Sequence, residues 1–365
     1  MYRLGDPEKR QIHEELKQGR HIPKVLLDQM DGLGHISYRK DLFGFASSYG
    51  QHSFSDLDEE YEEVYEFCHG LLDRTQGKQI AGALEISKRL EVMRRLQDPT
   101  YRDHFIHSVQ DFLLGAVILD QFYDLLKTWY SPKLCKTSTT SVEASWLLTS
   151  IFHDRTRALE SREWLGEEDG YTITQSFAFA DEYLTCLASV YGHLRKGRDL
   201  CKWRYKRCKP SDHELRDILH EWYKKQNHGV LSAMTLLKRV KETHNGAVPS
   251  HCAAASLAIA MHDTKPRRML RKRGIFPIRM DRFPISCLLL YCDAIQEWGR
   301  PRSDAVESTR LTRIELNPDG VHCEVAFPTP DAARAKIREC DSVRQSIESR
   351  QSNLHFSFSP RLLLT

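Results

Sequence analysis

Residues 146–157 read Trp146-Leu147-Leu148-Thr149-Ser150-Ile151-Phe152-His153-Asp154-Arg155-Thr156-Arg157. A largely apolar run ends on an imidazole and a carboxylate standing side by side. The run predicts a buried helix over 141–159, with Thr140 and Glu143 at capping-box spacing at its start. Two metal-capable side chains therefore leave the end of a core helix together. An uncompensated polar group in such a place is costly, so partners are expected elsewhere in the chain.

Outward from this segment the pattern recurs. Residues 101–130 are strongly apolar on one side and carry His104 and His107. His228 opens an amphipathic helix over 228–240, and His262 ends an alanine-rich one over 251–261. A helix predicted over 285–298 holds Asp293 inside Leu288-Leu289-Leu290-Tyr291-Cys292-Asp293-Ala294-Ile295, which otherwise reads as core. An unpaired carboxylate there needs a cation. Four imidazoles and two carboxylates suit divalent metals that take nitrogen and oxygen ligands. Iron and manganese are favoured, with zinc, magnesium, nickel and cobalt left open. The set exceeds what one tetrahedral zinc uses. Two cations bridged by one carboxylate account for all six residues, and Asp154 is the natural bridge.

Further helices are expected near 84–96, from the spacing of Leu84, Leu90, Met93 and Leu96 before Pro99, and over 177–194. Another runs from Ser211-x-x-Glu214, a second capping-box form, toward Tyr223. After Gly299-Arg300-Pro301 the period falls to two. Residues 311–316 and 321–327 alternate around Asn317-Pro318-Asp319-Gly320, a hairpin signal. A helix over 330–351 and a strand over 354–358 complete a β-β-α-β unit. Residues before 84 are polar and irregular, with short helical patterns near 8–18 and 59–72. Three parts are expected: an N-terminal extension (1–83), a helical metal-binding domain (84–305) and the β-β-α-β element (306–365). The fold class is mainly α.

Net charge is +3, too small to signal nucleic acid or a membrane. Acidic residues 56–63 and basic residues 195–209 and 265–273 read as solvated faces, the basic ones alternatively as a rim that collects phosphorylated substrate. Ten cysteines without a C-x-x-C pair fit a reduced chain better than a disulfide scaffold. Cys186, Cys252, Cys287 and Cys292 read as core. The first residues show no apolar signal region, and the longest apolar run, 112–119, falls far short of the ~20 residues of a bilayer span. A soluble, cytoplasmic protein is expected, with oligomerisation open. His13, His21, His35, His52, His213, His322 and His355 sit in polar or irregular sequence and read as exposed or structural. His244 lies in a turn, and His251 reads as structural.

The order His107, then His153-Asp154, then His228, His262 and Asp293 on successive helices resembles the HD superfamily of metal-dependent phosphohydrolases, in particular its two-metal members. Residues 101–108, 227–233, 257–262 and 292–300 carry the likeness, which spans about 84–301. It implies an HD-type helical bundle, with His107, His153 and Asp293 on one metal, His228 and His262 on the other, and Asp154 bridging. It also implies hydrolysis of a phosphoester or phosphoanhydride, often in a nucleotide, through metal-activated water. Asp154 would then hold the metals and orient the attacking water, and His104 would orient His107 from behind. Many members follow His-Asp with a small residue, whereas this chain has Arg155-Thr156-Arg157. Those guanidinium groups either bind phosphate, the role assigned to Arg157, or pair with Glu160 or Glu163. Lys265 either contacts phosphate or begins a solvated basic loop. Two other readings share the ligand set: a di-iron oxygenase of HD type, and a scaffold that binds a nucleotide or metal without turnover.

Overall fold

The computed structural model describes residues 22–51, 57–97, 104–134, 142–157, 180–196, 210–296, 298, 309–348 and 354–362. Within them the chain is mainly helical, with a few short strands. The N-terminal helices are α1 (Lys24–Met30), α2 (Arg39–Gln51), α3 (Leu57–Gln76) and α4 (Lys78–Ala81). The body holds α5 (Leu84–Gln97), α6 (Phe105–Gln121), α7 (Tyr123–Leu134), α8 (Val142–Phe152) and α9 (Ala180–Lys196). It continues with α10 (Pro210–Lys224), α11 (His228–Thr243), α12 (Ser250–Met261), α13 (Thr264–Lys272), β1 (Ile278–Arg279) and α14 (Pro284–Ile295). The C-terminal elements are β2 (Arg310–Asn317), β3 (Gly320–Phe327), α15 (Pro330–Arg344), β4 (Ile347–Glu348) and β5 (His355–Leu362).

Helix α6 is the centre of the core, buried at every position from Phe105 to Asp120. A helix apolar on nearly all sides is stable only when neighbours surround it. Here α8 and α14 pack against α6, and α12 packs against α8, α11 and α14. Trp146 of α8 is fully buried, and its indole N–H donates to the Phe112 carbonyl at 3.0 Å. The ends of these helices meet in one region, which positions the site below.

Several expected boundaries shift. Helix α8 ends at Phe152, not near 159, and His153 to Thr156 form a turn. The hydrogen bonds of that turn go to α11: Thr156 N–H donates to Ser232 Oγ at 3.1 Å and its hydroxyl to the His228 carbonyl at 2.8 Å. The 101–130 pattern divides into α6 and α7 at Phe122. Helix α10 begins at Pro210, so Ser211 lies inside the first turn instead of capping it, and proline suits a first turn because it lacks the N–H that would go unpaired. Thr140 of the other capping box lies outside the described residues. The 285–298 helix stops at Ile295, before the extended backbone of Gln296. The basic loop expected after Lys265 is helix α13, capped by Asp263, with Pro266, Arg267 and Leu270 buried. Helix α15 ends at Arg344, short of 351. Of the expected core cysteines, Cys252, Cys287 and Cys292 are buried and Cys186 is half-buried.

The C-terminal sheet has the order β2-β3-β5. β2 and β3 form the expected antiparallel hairpin, closed by the pair Asn317 and Gly320, and β5 joins β3 in parallel. α15 packs on β3, β5 and α14. β1 and β4 form a separate two-residue parallel pair, which no alternation in the sequence signals. Among the described residues no helix is long and apolar enough to cross a membrane.

The described residues before 84 form α1 to α4, with a non-helical segment at 31–38, and share the core through Leu26, Tyr49, Tyr61 and Leu71. In the acidic stretch, Glu60 is buried and accepts from the Tyr49 hydroxyl at 2.7 Å. Ahead of α2 the backbone docks on carboxylates of the body. Asp120 accepts N–H bonds from Gly34 (2.9 Å), His35 (2.6 Å) and Ile36 (2.8 Å), and Glu143 accepts from Ser37 N–H at 2.9 Å. Asp120→Ala strands three donors, one of them buried, and is expected to cost about 3 kcal/mol by urea denaturation. Faster cleavage within 31–38 under limited proteolysis should accompany it; an unchanged digest would mean other contacts hold this segment.

Candidate metal centre

Each expected ligand comes from a helix or its end. His107 lies in the first turn of α6, and His153 and Asp154 follow α8. His228 is the first residue of α11, positioned by the N-cap Asn227, whose side chain accepts from Val230 N–H. His262 caps the C-terminus of α12, and Asp293 lies in the last turn of α14. Gly229 lets α11 approach α12, since a Cβ there would stand 2.9 Å from the Ile259 carbonyl and 3.2 Å from the His262 ring.

The structure brings the six side chains together. Asp154 Oδ1 lies 3.2 Å from His228 Nε2 and 3.3 Å from His262 Nε2, and those two nitrogens are 3.2 Å apart. Asp154 Oδ2 faces the other way, 2.7 Å from His104 Nδ1 and 3.9 Å from His153 Nε2. Asp293 Oδ1 lies 3.1 Å from His107 Nε2 and 3.9 Å from His153 Nε2. Nitrogen and oxygen ligands bound at ~2.1 Å sit ~3–4 Å from one another, so these spacings fit shared cations. Two groups of side chains, His107, Asp111, His153 with Asp293 and His153, Asp154 with His262, keep their ligand atoms within 4.8 Å of one another.

The tautomers are set from behind. His153 Nδ1–H donates to the Ser150 carbonyl and His262 Nδ1–H to the Ile259 carbonyl, each at 2.7 Å. His107 Nδ1–H donates to Gln296 Oε1, whose amide in turn donates to Gln110 Oε1 and the Trp298 carbonyl. With Nδ1 committed, all three rings turn an Nε2 lone pair into the cluster, the arrangement metal-binding histidines use. His153 Nε2 is buried without a hydrogen-bond partner among the described residues. At His228, Asp263 Oδ2 (3.3 Å) and an Arg157 guanidinium nitrogen (2.8 Å) both face Nδ1 and demand opposite tautomers. Only the Asp263 contact leaves Nε2 free for a cation, because Arg157 can only donate.

Burial lowers the pKa of His153, against the pull of Asp154. For Asp154, burial works to raise the pKa, but His153 and His104 outweigh it and hold the carboxyl well below its usual range. For Asp293, burial is outweighed by His107 and His153, which hold the carboxyl well below its usual range. In Asp263, burial is outweighed by His228. Ionised is the state in which Asp154 and Asp293 can hold a divalent cation.

Three residues of this site escaped the sequence reading. Asp111 follows His107 by one helical turn, and the cost of burying a carboxylate in an apolar helix, the argument applied to Asp293, would have found it. Asp263 stood next to His262 without an assigned role. Gln296 carries no local signal. Arg267, part of the basic run 265–273, is buried on α13, where burial lowers its pKa against the opposing charges of Asp293, Glu339 and Asp263. Its Nη2 donates to Thr264 Oγ1 at 2.9 Å, and its Nε has no partner among the described residues.

Of the expected phosphate contacts, Arg157 lies beside His228, whereas Lys265 is exposed and only its backbone N–H meets Asp263, at 2.8 Å. Arg155 is buried and donates to Ser87 Oγ at 2.9 Å, and burial pushes its pKa down to about 9. Glu160 and Glu163 lie outside the described residues.

His251 faces Gln76, 3.1 Å away, rather than the cluster. Burial, aided by His244, lowers its pKa from 6.5 to about 4. The unfolded chain then binds a proton that the folded one refuses, so this contribution is full above pH 6.5 and is lost as pH falls toward 4. The loss is on the order of 3 kcal/mol. His251→Gln should flatten the urea midpoint against pH across that window; a profile parallel to that of the parent protein would refute it.

Comparison of the chain with protein-family models, with curated proteins and with solved structures gives no match.

Proposed function

We propose that this chain is an HD-type, metal-dependent phosphohydrolase that cleaves a phosphoester or phosphoanhydride in a nucleotide or related phosphorylated small molecule. The observation that carries the reading is the convergence of imidazole Nε2 atoms, their Nδ1 atoms bonded elsewhere, on the Asp154 and Asp293 carboxylates. His107, His153 and Asp293 would hold one divalent cation and His228 and His262 another, with Asp154 offering one oxygen to each. The nitrogen and oxygen donors suit iron or manganese. Bound there, such cations supply Lewis-acid polarisation of a phosphoryl oxygen and acidify a water toward neutral pH.

The protein's own groups do the rest. Asp154 stays ionised, orients the attacking water and accepts its hydrogen bond. Arg157, beside His228, and Arg267, which feels the charges of Asp293 and Asp263, would offer guanidinium groups to phosphate oxygens, a chemistry that favours phosphate over a neutral substrate.

Protein purified with and without air, then assayed for metal by elemental mass spectrometry and for phosphate release across nucleotides and phosphoesters, tests this. The expected result is close to two iron or manganese ions per chain and a phosphate release that chelator abolishes and metal restores. Oxygen uptake by the iron form without phosphate release would transfer the chain to the oxygenases. Failure to bind any metal would remove both readings.

A further inference from the structure

Asp111 is a carboxylate at the cluster for which the ordered ligand pattern has no place. It is fully buried on α6, one turn beyond His107 and on the same face. Its Oδ2 lies 3.2 Å from His107 Nε2 and 3.5 Å from His153 Nε2. Asp293 Oδ1 meets the same two nitrogens, at 3.1 and 3.9 Å. Two carboxylate oxygens thus adjoin two imidazole Nε2 atoms whose rings are held by Gln296 and Ser150. One cation among the four atoms would meet two carboxylate oxygens and two imidazole nitrogens at once. All four lie within 4.8 Å of one another, the span of one coordination sphere.

We propose that Asp111 is a metal ligand, making the two cation positions unequal: His107, Asp111, His153 and Asp293 hold the inner one, and His228, His262 and Asp154 the outer one. This rests on the two-cation reading above. Asp111 and Asp293 both belong to the inner position, whereas Asp154 is the outer position's only carboxylate. Anionic oxygens raise affinity for hard cations and lower their Lewis acidity. The inner cation is therefore tightly held and chiefly structural, and the outer one exchanges and meets the phosphate. Sites with more protein ligands hold structural metals, and sites with open positions are catalytic ones.

The test uses the full chain loaded with manganese. Dialysis against graded chelator should remove one equivalent from the parent protein well before the other. Asp111→Asn should lose the tight equivalent at ~10–100-fold lower chelator, with its circular dichroism unchanged. Manganese anomalous diffraction from crystals of the parent protein gives an answer even where the variant misfolds. A peak within ~2.2 Å of an Asp111 oxygen supports the proposal, and Asp111 more than 3 Å from any metal overturns it. Two equivalents released together from the parent, or a variant that matches it, overturn it as well. A parent protein that holds no manganese sinks the two-cation reading itself, a result distinct from these.

Discussion

Asp154→Ala is expected to empty the cation position at His228 and His262, to weaken the other, and to lower phosphate release about a thousandfold, since the cations are asked to supply several kcal/mol of transition-state stabilisation. Asp154 alone presents one oxygen to His228 and His262 and the other to His104 and His153. Without it, two imidazole nitrogens face each other across 3.2 Å with no anion to balance a cation. The substitution removes a charge that the surrounding imidazoles stabilise, so the metal-free fold should lose stability as well. Metal per chain and kcat/KM, measured side by side, separate the two effects. A variant that retains both metals would exclude Asp154 as the bridge. A variant that loses them while keeping full activity would exclude metal chemistry altogether.

Gly115→Ala should destabilise the protein by about 3 kcal/mol or more, enough to cost several degrees of melting temperature. A Cβ at Gly115 would stand 1.9 Å from Trp146 Cζ2 and 2.3 Å from Cε2, distances no side chain tolerates. The indole cannot retreat, because it is fully buried and its N–H is bonded to Phe112 of the same helix that carries Gly115. Helix propensity alone predicts the opposite sign, a gain of about 1 kcal/mol for glycine to alanine. A loss therefore reports the steric contact and nothing else. α8, which bears Trp146, also ends at His153 and Asp154, so metal affinity should fall with stability. Trp146→Leu added to Gly115→Ala should recover part of the loss, since it removes the colliding ring. A Gly115→Ala protein as stable as its parent would show that α6 and α8 sit further apart than described.

The mainly helical class and the small β-rich C-terminal element could be read from the chain itself. Both rest on local periods, 3.6 in α11 and α12 and two in the β2–β3 hairpin, which need no knowledge of what packs where. His107, His153, Asp154, His228, His262 and Asp293 stood out for a related reason: a polar group in an apolar helix announces its own cost. Asp111 obeys the same logic and was overlooked among the larger apolar residues of α6, although its sequence context was as informative as that of Asp293.

What tertiary structure alone decided depends on partners distant in the chain. α8 stops at Phe152 because the turn after it is held by Ser232 and His228, some 70 residues later; the propensity of 153–159 has no part in that choice. Gln296 leaves α14 with its amide on His107 and Gln110, and no helix-stop residue marks the place. Lys265 opens a helix whose buried side carries Arg267 and whose Arg271 reaches α15, so a basic run that reads as a loop becomes a packed element. β1 finds β4 across some 70 residues, and β5 chooses the parallel side of β3. Local sequence determines which element forms and which face is apolar; only the closure of distant segments on one another determines where an element ends, which oxygen each imidazole faces, and that Asp111 and Asp293 both meet His107.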